Sequence, residues 1–378
     1  MGFWFDDIST EWKQHINLSE SAWIIIHEDI KNFYSNEEDE SFSGFLNRIY
    51  RNYYQLAKAT ISLRLEEKEE ELLHLYSSDE FKKIDSETIA TIIDKQLESY
   101  EDELISLTKS YQSGHGEKFR INKENLDLLR ESLEDEYYDG SVGKYLKAIF
   151  EEYATKPTYI REQIFFDETV EKIKSAIANQ RKLKITLNDK VSVRGDKIYN
   201  RKFYVSSYKI EQDSTKTFNY LIGYGLEIDR ENAIESPCCF RISRIKKINI
   251  QNSMGAKISK EKAKELDNLL IERTVMFMSS DPIDIEIRFT DKGLEAFRRQ
   301  LYMRPRIYTI NKEDKHVYTF RCTEIQAINY FFKFGWDANV ISPIELREKM
   351  KSRYYKSFKT YDGMSKEEII ASEKGASD

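Results

Sequence analysis

Two segments of this sequence, about a hundred residues apart, repeat one pattern of apolar and polar residues. The run HINLSESAWIIIHEDI from His15 matches RINKENLDLLRESLED from Arg120, and SFSGFLNRIYRNYY matches GSVGKYLKAIFEEYA further along the chain. In each copy a short alternating run precedes two stretches with helical spacing of apolar residues. The repeat therefore predicts two units of strand, helix, turn and helix, with residues 66–116 as a helical insertion between them.

This pattern resembles the ribbon–helix–helix fold, in which two such units pair their strands into an antiparallel ribbon. Because side chains alternate along a strand, Phe119 and Ile121 are expected to face the helices. The outward residues are then Lys118, Arg120 and Asn122, and a ribbon of this kind can read the major groove of DNA. The alternative is a helical scaffold whose ribbon binds nothing. Ten Asp or Glu against five Lys or Arg in the first 60 residues favour that alternative.

The motifs of common enzymes are missing from the sequence. The five histidines are scattered without metal-ligand spacing, no phosphate loop or G-x-S-x-G is present, and GYGLEI stops after two glycines. A buried catalytic pair of carboxylates stays open, because sequence does not show which carboxylates meet in space. We therefore expect no enzymatic activity, no cofactor and no bound metal.

The sequence also indicates where the chain resides. No run of 18 apolar residues is present, and the acidic start MGFWFDDIST is unlike a signal peptide. Of the three cysteines, Cys238 and Cys239 are adjacent and Cys322 is distant, which is typical of a reduced compartment. We expect a cytoplasmic protein that does not enter a membrane.

The chain changes character after Pro157. One helical stretch ends near Gln180, and four runs rich in Ile, Val, Tyr and Phe then predict a small, strongly bent sheet or barrel. Within these runs, NYLIGYG followed by CCFRISRI resembles the WYL domain, a small Sm-like β-barrel of bacterial regulators. Asn219 stands where that family has the Trp of its Trp-Tyr-Leu triplet, and FRISRIKKI resembles its closing strand.

The segment YFFKFGWDANVISPIELREKM resembles the extension that often follows a WYL domain. The whole layout is similar to the WYL accessory proteins of type VI-D CRISPR systems, which are implicated in binding single-stranded RNA and raising effector activity. The resemblance implies an α+β protein. Its parts are a helical region with the ribbon–helix–helix-like repeat (1–155), a Sm-like WYL β-barrel (156–252), an α/β extension that dimerises (253–362) and a flexible tail (363–378).

Basic charge is concentrated in the strand-rich region. Residues 181–250 hold fifteen Lys or Arg against eight Asp or Glu, whereas residues 1–117 hold eleven against twenty-five. Tyrosines are interleaved with the basic residues, and phosphate contacts combined with base stacking are how single-stranded nucleic acid is held. The candidate nucleic-acid-binding residues are Lys182, Lys184, Arg201, Lys202, Tyr204, Tyr208, Tyr220, Arg241 and Arg244.

Strand periodicity predicts which face of the sheet some of these candidate residues occupy. Lys182 and Lys184 share one face, whereas Arg241 and Arg244 fall on opposite faces of a continuous strand. The WYL resemblance nevertheless implies both arginines. The alternative remains that the tyrosines pack in a core and that the lysines and arginines are solvated sheet-edge residues.

Three functions fit these observations. The first is a non-enzymatic accessory protein that binds single-stranded RNA through the WYL domain, stimulates an RNA-targeting CRISPR effector and forms a homodimer. The second is a transcriptional regulator whose ribbon reads duplex DNA while the WYL barrel senses a nucleotide ligand. The third is an adaptor whose acidic helices bind a basic partner such as the effector.

Overall fold

The computed structural model describes residues 13–34, 41–78, 81, 84–104, 114–132, 142–193, 197–213, 215–278, 281–363 and 365. These residues form a helical region, a five-stranded sheet and a four-stranded sheet with its own helices. The α+β class predicted from the sequence is therefore confirmed. None of the described helices is both long and apolar enough to cross a lipid bilayer.

The helical region is built around a two-stranded antiparallel ribbon. Strand β1 (Lys13–Leu18) pairs with β2 (His115–Arg120), and Lys13 lies opposite Arg120. The pairing of the two repeated strands is thus as predicted. The helices of this region are α1 (Glu20–Phe33), α2 (Phe42–Tyr76), α3 (Ser86–Leu104), α4 (Lys123–Ser132) and α5 (Val142–Thr155).

The two faces of the ribbon have opposite surroundings. Ile16, Phe119 and Ile121 are at most 1% exposed and join the core of the helical region. Lys118 and Arg120 are exposed on the other face. The alternation predicted for the second repeat is confirmed, and the apolar face fixes the ribbon against the helices.

The chain enters the five-stranded sheet through two helices where the sequence predicts one. Helix α6 (Thr158–Phe165) ends at Phe166, whose backbone has φ −100° and ψ 29°, and α7 (Asp167–Ala178) begins directly after it. Phe166 packs against both the core of the helical region and the core of the sheet. The prediction of a continuous helix is wrong here, because each half buries its apolar side in a different core.

The five-stranded sheet is antiparallel throughout. Its strands are β3 (Arg181–Val193), β4 (Lys197–Gln212), β5 (Asn219–Glu227), β6 (Ser236–Arg241) and β7 (Ile245–Gly255). They lie in the order β6-β5-β4-β3-β7, so the last two strands in sequence are the two edges. The predicted closing strand is split by a 3-10 turn at Ile242–Arg244.

That turn requires the sheet to bend strongly. In a flat sheet, edges four spacings apart would be separated by about 19 Å. The link from Arg241 to Ile245 reaches about 14 Å at most. The edges therefore approach each other at this corner, yet β6 and β7 do not pair in the described part of the sheet. The sheet is bent and open, and the predicted closed Sm-like β-barrel is not found.

The two faces of this sheet are covered differently. One face packs on α7 through a core that includes Ile173, Leu183, Ile185, Val205 and Leu221. The other face is covered by helix α8 (Lys260–Arg273) near β5 and β6, where a small apolar cluster forms. Among the residues that the structure describes, no helix covers the β7, β3 and β4 portion of that second face, and we call it the uncovered surface of the sheet.

The C-terminal part is a separate antiparallel sheet with flanking helices. Its elements are β8 (Pro282–Phe289), α9 (Asp291–Arg299), β9 (Ile307–Ile310), β10 (Val317–Thr323), α10 (Glu324–Phe331), β11 (Ala338–Ser342) and α11 (Ile344–Tyr361). The strand order is β11-β8-β10-β9, which leaves β9 as an edge. Aromatic residues dominate the core, including Phe289, Phe297, Phe320 and Phe331.

Gly223 marks the closest backbone approach in the five-stranded sheet. A Cβ atom at this position would overlap the backbone carbonyl oxygen of Ser206 on β4. We expect Gly223→Ala to lower the free energy of unfolding by roughly 2 kcal/mol, since overpacking against backbone cannot relax cheaply. Chemical denaturation measures this. Gly255→Ala, where a Cβ meets no atom within 4 Å, is the control, and an equal loss in both variants would refute the clash.

Candidate nucleic-acid interface

The uncovered surface of the five-stranded sheet carries a cluster of basic and polar side chains. Lys184 on β3 lies between Tyr204 on β4 and Asn249 on β7, and Thr186 lies between Lys202 and Lys247. Directly opposed residues in neighbouring strands have their Cβ atoms about 5 Å apart. We call this surface the basic face; it comprises Lys184, Thr186, Lys202, Tyr204, Lys247 and Asn249.

The cations of the basic face are weakly engaged within the protein. Lys184 and Lys247 form no ion pair with any side chain that the structure describes. Lys184 Nζ lies 6.0 Å from the centroid of the Tyr204 ring. Lys202 pairs with Asp229 at 3.5 Å, but both side chains are at least 40% exposed, so this pair contributes little. These positive charges are therefore available to an anionic ligand.

Lys182 lies on the same face but at its border. Its Nζ is 3.2 Å from Glu235 Oε1, and Lys262 of α8 binds the other oxygen of the same carboxylate at 2.9 Å. Burial alone would raise the pKa of Glu235, but the bonds from the two lysines outweigh it and lower that pKa. Lys182 thus holds α8 against the sheet and is less available than Lys184.

Two of the predicted tyrosines are covered by α8. Tyr208 donates its hydroxyl to Asp267 Oδ2 at 2.8 Å, and Tyr220 packs beside the apolar cluster under that helix. Burial raises the pKa of Tyr220 to about 12. The structure therefore places Tyr208 and Tyr220 in packing contacts and leaves Tyr204 as the predicted tyrosine on the basic face.

Arg201 occupies a different part of the sheet. Its Nε and Nη2 donate to the two carboxylate oxygens of Glu227 at 2.7 and 3.1 Å, and its guanidinium lies 4.9 Å from the Phe203 centroid. It lines a cavity of about 600 Å³ together with Arg230 and Phe240. Because adjacent strand residues face opposite ways, Arg201 and Lys202 are not brought together.

Asn219, which replaces the expected Trp, ties the sheet to α6. Its side-chain amide donates to Glu162 Oε2 at 2.9 Å and to the Tyr159 carbonyl at 2.7 Å. Its Oδ1 accepts from Gln163 Nε2 at 2.8 Å. Asn219 is fully buried, so each of these bonds satisfies a group that water cannot reach. This position holds the helical region and the sheet together.

Arg241 belongs to the same interior junction. Its Nε lies 3.7 Å from Glu162 Oε1, and its guanidinium carbon is 3.1 Å from the centroid of the Phe218 ring. Burial is the main cause that lowers the pKa of Arg241, and burial likewise raises the pKa of Glu162. Arg244, in the 3-10 turn, is exposed. The turn removes the strand periodicity that put these two arginines on opposite faces.

The ribbon forms a second basic surface in the helical region. Lys13 opposes Arg120 and His15 opposes Lys118, and all four side chains are exposed. Ser43 Oγ, at the start of α2, donates to the Lys118 carbonyl at 3.2 Å and accepts from the Arg120 backbone N–H at 3.3 Å. The outward basic residues predicted from the repeat are therefore brought together.

Asn122 has a structural role beside this ribbon. Its backbone N–H donates to Asn47 Oδ1 at 2.9 Å, and its own Oδ1 accepts from the Asn125 backbone N–H at 3.0 Å. These bonds fix the start of α4 after the ribbon strand. Asn122 is exposed, as predicted, but its side-chain oxygen already serves the backbone.

Sequence reasoning missed Thr186, Lys247 and Asn249 of the basic face. The alternation of Lys247, Ile248 and Asn249 in KKINI is a signal for one polar side of a strand. Its position beside β3, rather than beside β6, depends on the sheet order and not on local sequence. Among the described residues, no cluster of His, Cys, Asp and Glu has the arrangement of a metal site.

Comparison with known families identifies the C-terminal sheet. Residues 281–354 match the WCX domain, the C-terminal domain associated with WYL domains. This domain follows the five-stranded sheet and helix α8, which confirms the resemblance to WYL-type proteins with a C-terminal extension. No curated protein sequence matches the chain.

Among solved structures, the fold is shared with one described as "Crystal structure of a CRISPR Cas-related protein". The two have a TM-score of 0.66 and 22% sequence identity over 93% of this chain and 94% of the other. A second structure is the proteasome accessory factor B/C (PafBC) of Arthrobacter aurescens, with a TM-score of 0.26 and 13% identity. That match covers 62% of this chain and 35% of the other, and it is too distant to bear on the fold.

Proposed function

We propose that this chain is a cytoplasmic, non-enzymatic accessory protein that binds single-stranded RNA on the basic face and stimulates an RNA-targeting CRISPR effector. The observation that carries the proposal is the cluster of Lys184, Lys202, Tyr204 and Lys247 on the uncovered surface of the sheet. The shared fold with a CRISPR Cas-related protein supports the proposed context.

The chemistry of the basic face suits a single strand better than a duplex. Lysines bind phosphate oxygens through charge, and the half-exposed ring of Tyr204 offers a flat surface to a base. Bases are accessible for stacking only when unpaired, and each stacked base contributes roughly 1–3 kcal/mol. A flexible single strand also follows a strongly bent sheet more readily than a stiff duplex does.

Protein partners complete the proposal. The edge strand β9 exposes Ile307, Tyr308 and Ile310 by 40, 39 and 50%, and an exposed apolar edge favours pairing with another chain. We place the contact of a homodimer there. The distal part of α2 carries the acidic run EEKEEE, which would meet a basic surface of the effector.

Fluorescence anisotropy of labelled single-stranded RNA, single-stranded DNA and duplex DNA, each at two salt concentrations, tests the ligand. We expect the tightest binding for single-stranded RNA, with an affinity that falls as salt rises because phosphate contacts release counterions. Equal or tighter binding of duplex DNA, or no binding of RNA, would refute the proposal. Adding the protein to a target-RNA cleavage assay with the effector tests stimulation separately.

A second candidate function rests on the exposed ribbon. If the strand–helix–helix units act as a ribbon–helix–helix pair, Lys13, His15, Lys118 and Arg120 would enter the major groove of duplex DNA. The chain would then be a transcriptional regulator, and the WYL sheet would sense a nucleotide. Replacing Lys118 and Arg120 with Glu should then abolish duplex binding, whereas retained duplex binding would exclude this function.

A further inference from the structure

Helix α11 closes the WCX domain with one face firmly packed. Leu346 and Met350 are 1 and 4% exposed within the aromatic core. Tyr354 stacks on Phe332 with centroids 4.7 Å apart, and its hydroxyl donates to the Phe332 carbonyl at 2.9 Å. The apolar side of α11 is therefore buried inside the domain, and this packing fixes the orientation of the helix.

A neighbouring side of α11 brings together two exposed rings, the exposed Lys351 and the half-buried Lys359. Lys351, Tyr355, Phe358 and Lys359 follow one another at spacings of four, three and one residues, which places them on one face. Tyr355 and Phe358 are 44 and 61% exposed, and Lys359 Nζ lies 5.6 Å from the Tyr355 centroid. We call these four residues the α11 face.

The charged residues around the α11 face are mostly basic. From residue 349 to residue 361 the sequence has five Lys or Arg and no Asp or Glu. The ion pairs of this face are weak: Lys351 reaches Glu348 at 3.4 Å and Lys359 reaches Asp362 at 4.0 Å, in both cases toward a carboxylate that is 58% exposed. Packing against the residues that the structure describes does not explain two solvent-exposed rings beside such charges.

Two other occupants fit the α11 face less well. A second copy of the chain, docked by a two-fold axis, would set one basic face against its twin, which costs electrostatic energy. A membrane-surface helix places its apolar residues on one side and its lysines on the other. Here the rings and the lysines are interleaved on one face, and the apolar side is buried in the domain core.

We propose that the α11 face is a second binding surface for single-stranded RNA, separate from the basic face of the five-stranded sheet. Lys351 and Lys359 bind phosphates, while Tyr355 and Phe358 stack on bases. This pairing of cations with exposed rings is the general chemistry of single-strand binding. The inference takes its ligand from the proposed function but does not depend on where the five-stranded sheet binds RNA.

Two double variants of the full chain test the α11 face by anisotropy with a labelled, unstructured single-stranded RNA. Lys351→Glu with Lys359→Glu is expected to weaken binding about tenfold and to reduce the salt slope by about 1.4, since each lost phosphate contact removes about 0.7. Tyr355→Ala with Phe358→Ala is expected to weaken binding about tenfold with an unchanged salt slope, because stacking releases no counterions.

Lys312→Glu with Lys315→Glu is the matched control. Both lysines are exposed in the β9–β10 turn of the same domain, so the change in net charge is identical. We expect less than a twofold change in affinity for this control, and unchanged thermal unfolding for all three variants. Equal losses in the control and the charge variant, or unchanged binding in both α11 variants, would overturn the proposal.

The outcome also separates this inference from the proposed function. If α11 variants lose affinity while Lys184→Glu with Lys247→Glu binds normally, the α11 face stands and the basic face fails. If the α11 variants keep RNA affinity but change the sedimentation coefficient or lose binding to anionic vesicles, the face is a dimer or membrane contact and the inference is wrong. A wild-type chain that binds no RNA overturns both.

Discussion

Replacing Lys184 and Lys247 with glutamate is expected to weaken single-stranded RNA binding by roughly 10- to 100-fold at low salt. The two side chains lie on adjacent strands of the basic face and have no ion partner among the described residues. Reversing them removes two phosphate contacts and adds two repulsions in their place. The slope of log affinity against log salt should fall by about 1.4.

The matched control for that variant is Lys260→Glu with Lys264→Glu. These lysines are exposed on α8, outside the basic face, and the change in net charge is the same. Their replacement should change affinity by less than about threefold, because these lysines attract RNA only at long range and salt screens that attraction. Equal losses for the two pairs would mean that diffuse charge, rather than the basic face, binds RNA. Tyr204→Ala adds the stacking test, with lower affinity at an unchanged salt slope.

Replacing Glu162 with alanine is expected to lower the free energy of unfolding by about 3–5 kcal/mol. The carboxylate is fully buried and accepts the backbone N–H groups of Asn219 at 2.6 Å and Ser243 at 3.3 Å. It is also the anionic partner of Arg241, whose side chain is 20% exposed. Its removal takes the acceptor from two buried backbone N–H groups and the anionic partner from Arg241.

Chemical denaturation of Glu162→Ala, Glu162→Gln and Glu168→Ala measures this effect. The glutamine variant keeps one acceptor oxygen and the volume of the side chain, so its loss should be smaller. Glu168 on α7 is 83% exposed, and its replacement should cost less than about 0.5 kcal/mol. A loss below about 1 kcal/mol in Glu162→Ala would show that the junction between α6 and the sheet contributes little to stability.

The same junction decides how Arg241 should be tested. The guanidinium is held between Glu162 and Phe218, so Arg241→Ala removes a support of the fold as well as a positive charge. We expect it to lower the midpoint of thermal unfolding. Its assignment as an RNA-binding residue stays a prediction, and it holds only if affinity falls under conditions where the variant is fully folded.

Local periodicity was sufficient to predict the ribbon. The alternation that buries Phe119 and Ile121 and exposes Lys118 and Arg120 is a property of four consecutive residues. The repeat supplied the partner strand, because two similar units imply two similar strands. Neither step required knowledge of distant contacts, and both are seen in the structure.

The junctions depend on contacts that no local pattern reports. Phe166 interrupts a helical pattern because the apolar residues before and after it belong to different cores. The run FRISRIKKINI has strand periodicity on both sides of a 3-10 turn, so the place where it breaks is set by the sheet order. A closed barrel would likewise require β6 and β7 to pair. These two edge strands are adjacent in sequence but are not paired in the described part of the sheet.

The basic face could likewise be predicted only in part from local sequence. Lys184, Lys202 and Tyr204 could be selected from composition and strand alternation. Their assembly with Lys247 and Asn249 depends on the pairing of β3 with β7, which brings together residues 61 to 65 positions apart. Arg201 and Arg241 carry the same charge as these lysines, but Glu227 and Glu162 engage them, and sequence alone does not locate these acidic partners.

The double role of Phe166 bears on how the chain can be cut into fragments. A fragment that starts at residue 156 would retain α6 but lose the helices on which Ile164 and Phe165 pack. It would expose those side chains to water, together with one side of Phe166, and would be prone to aggregate. The sheet is therefore not expected to fold on its own when it is cut from the chain. The helical region and the sheet are expected to unfold in a single cooperative step.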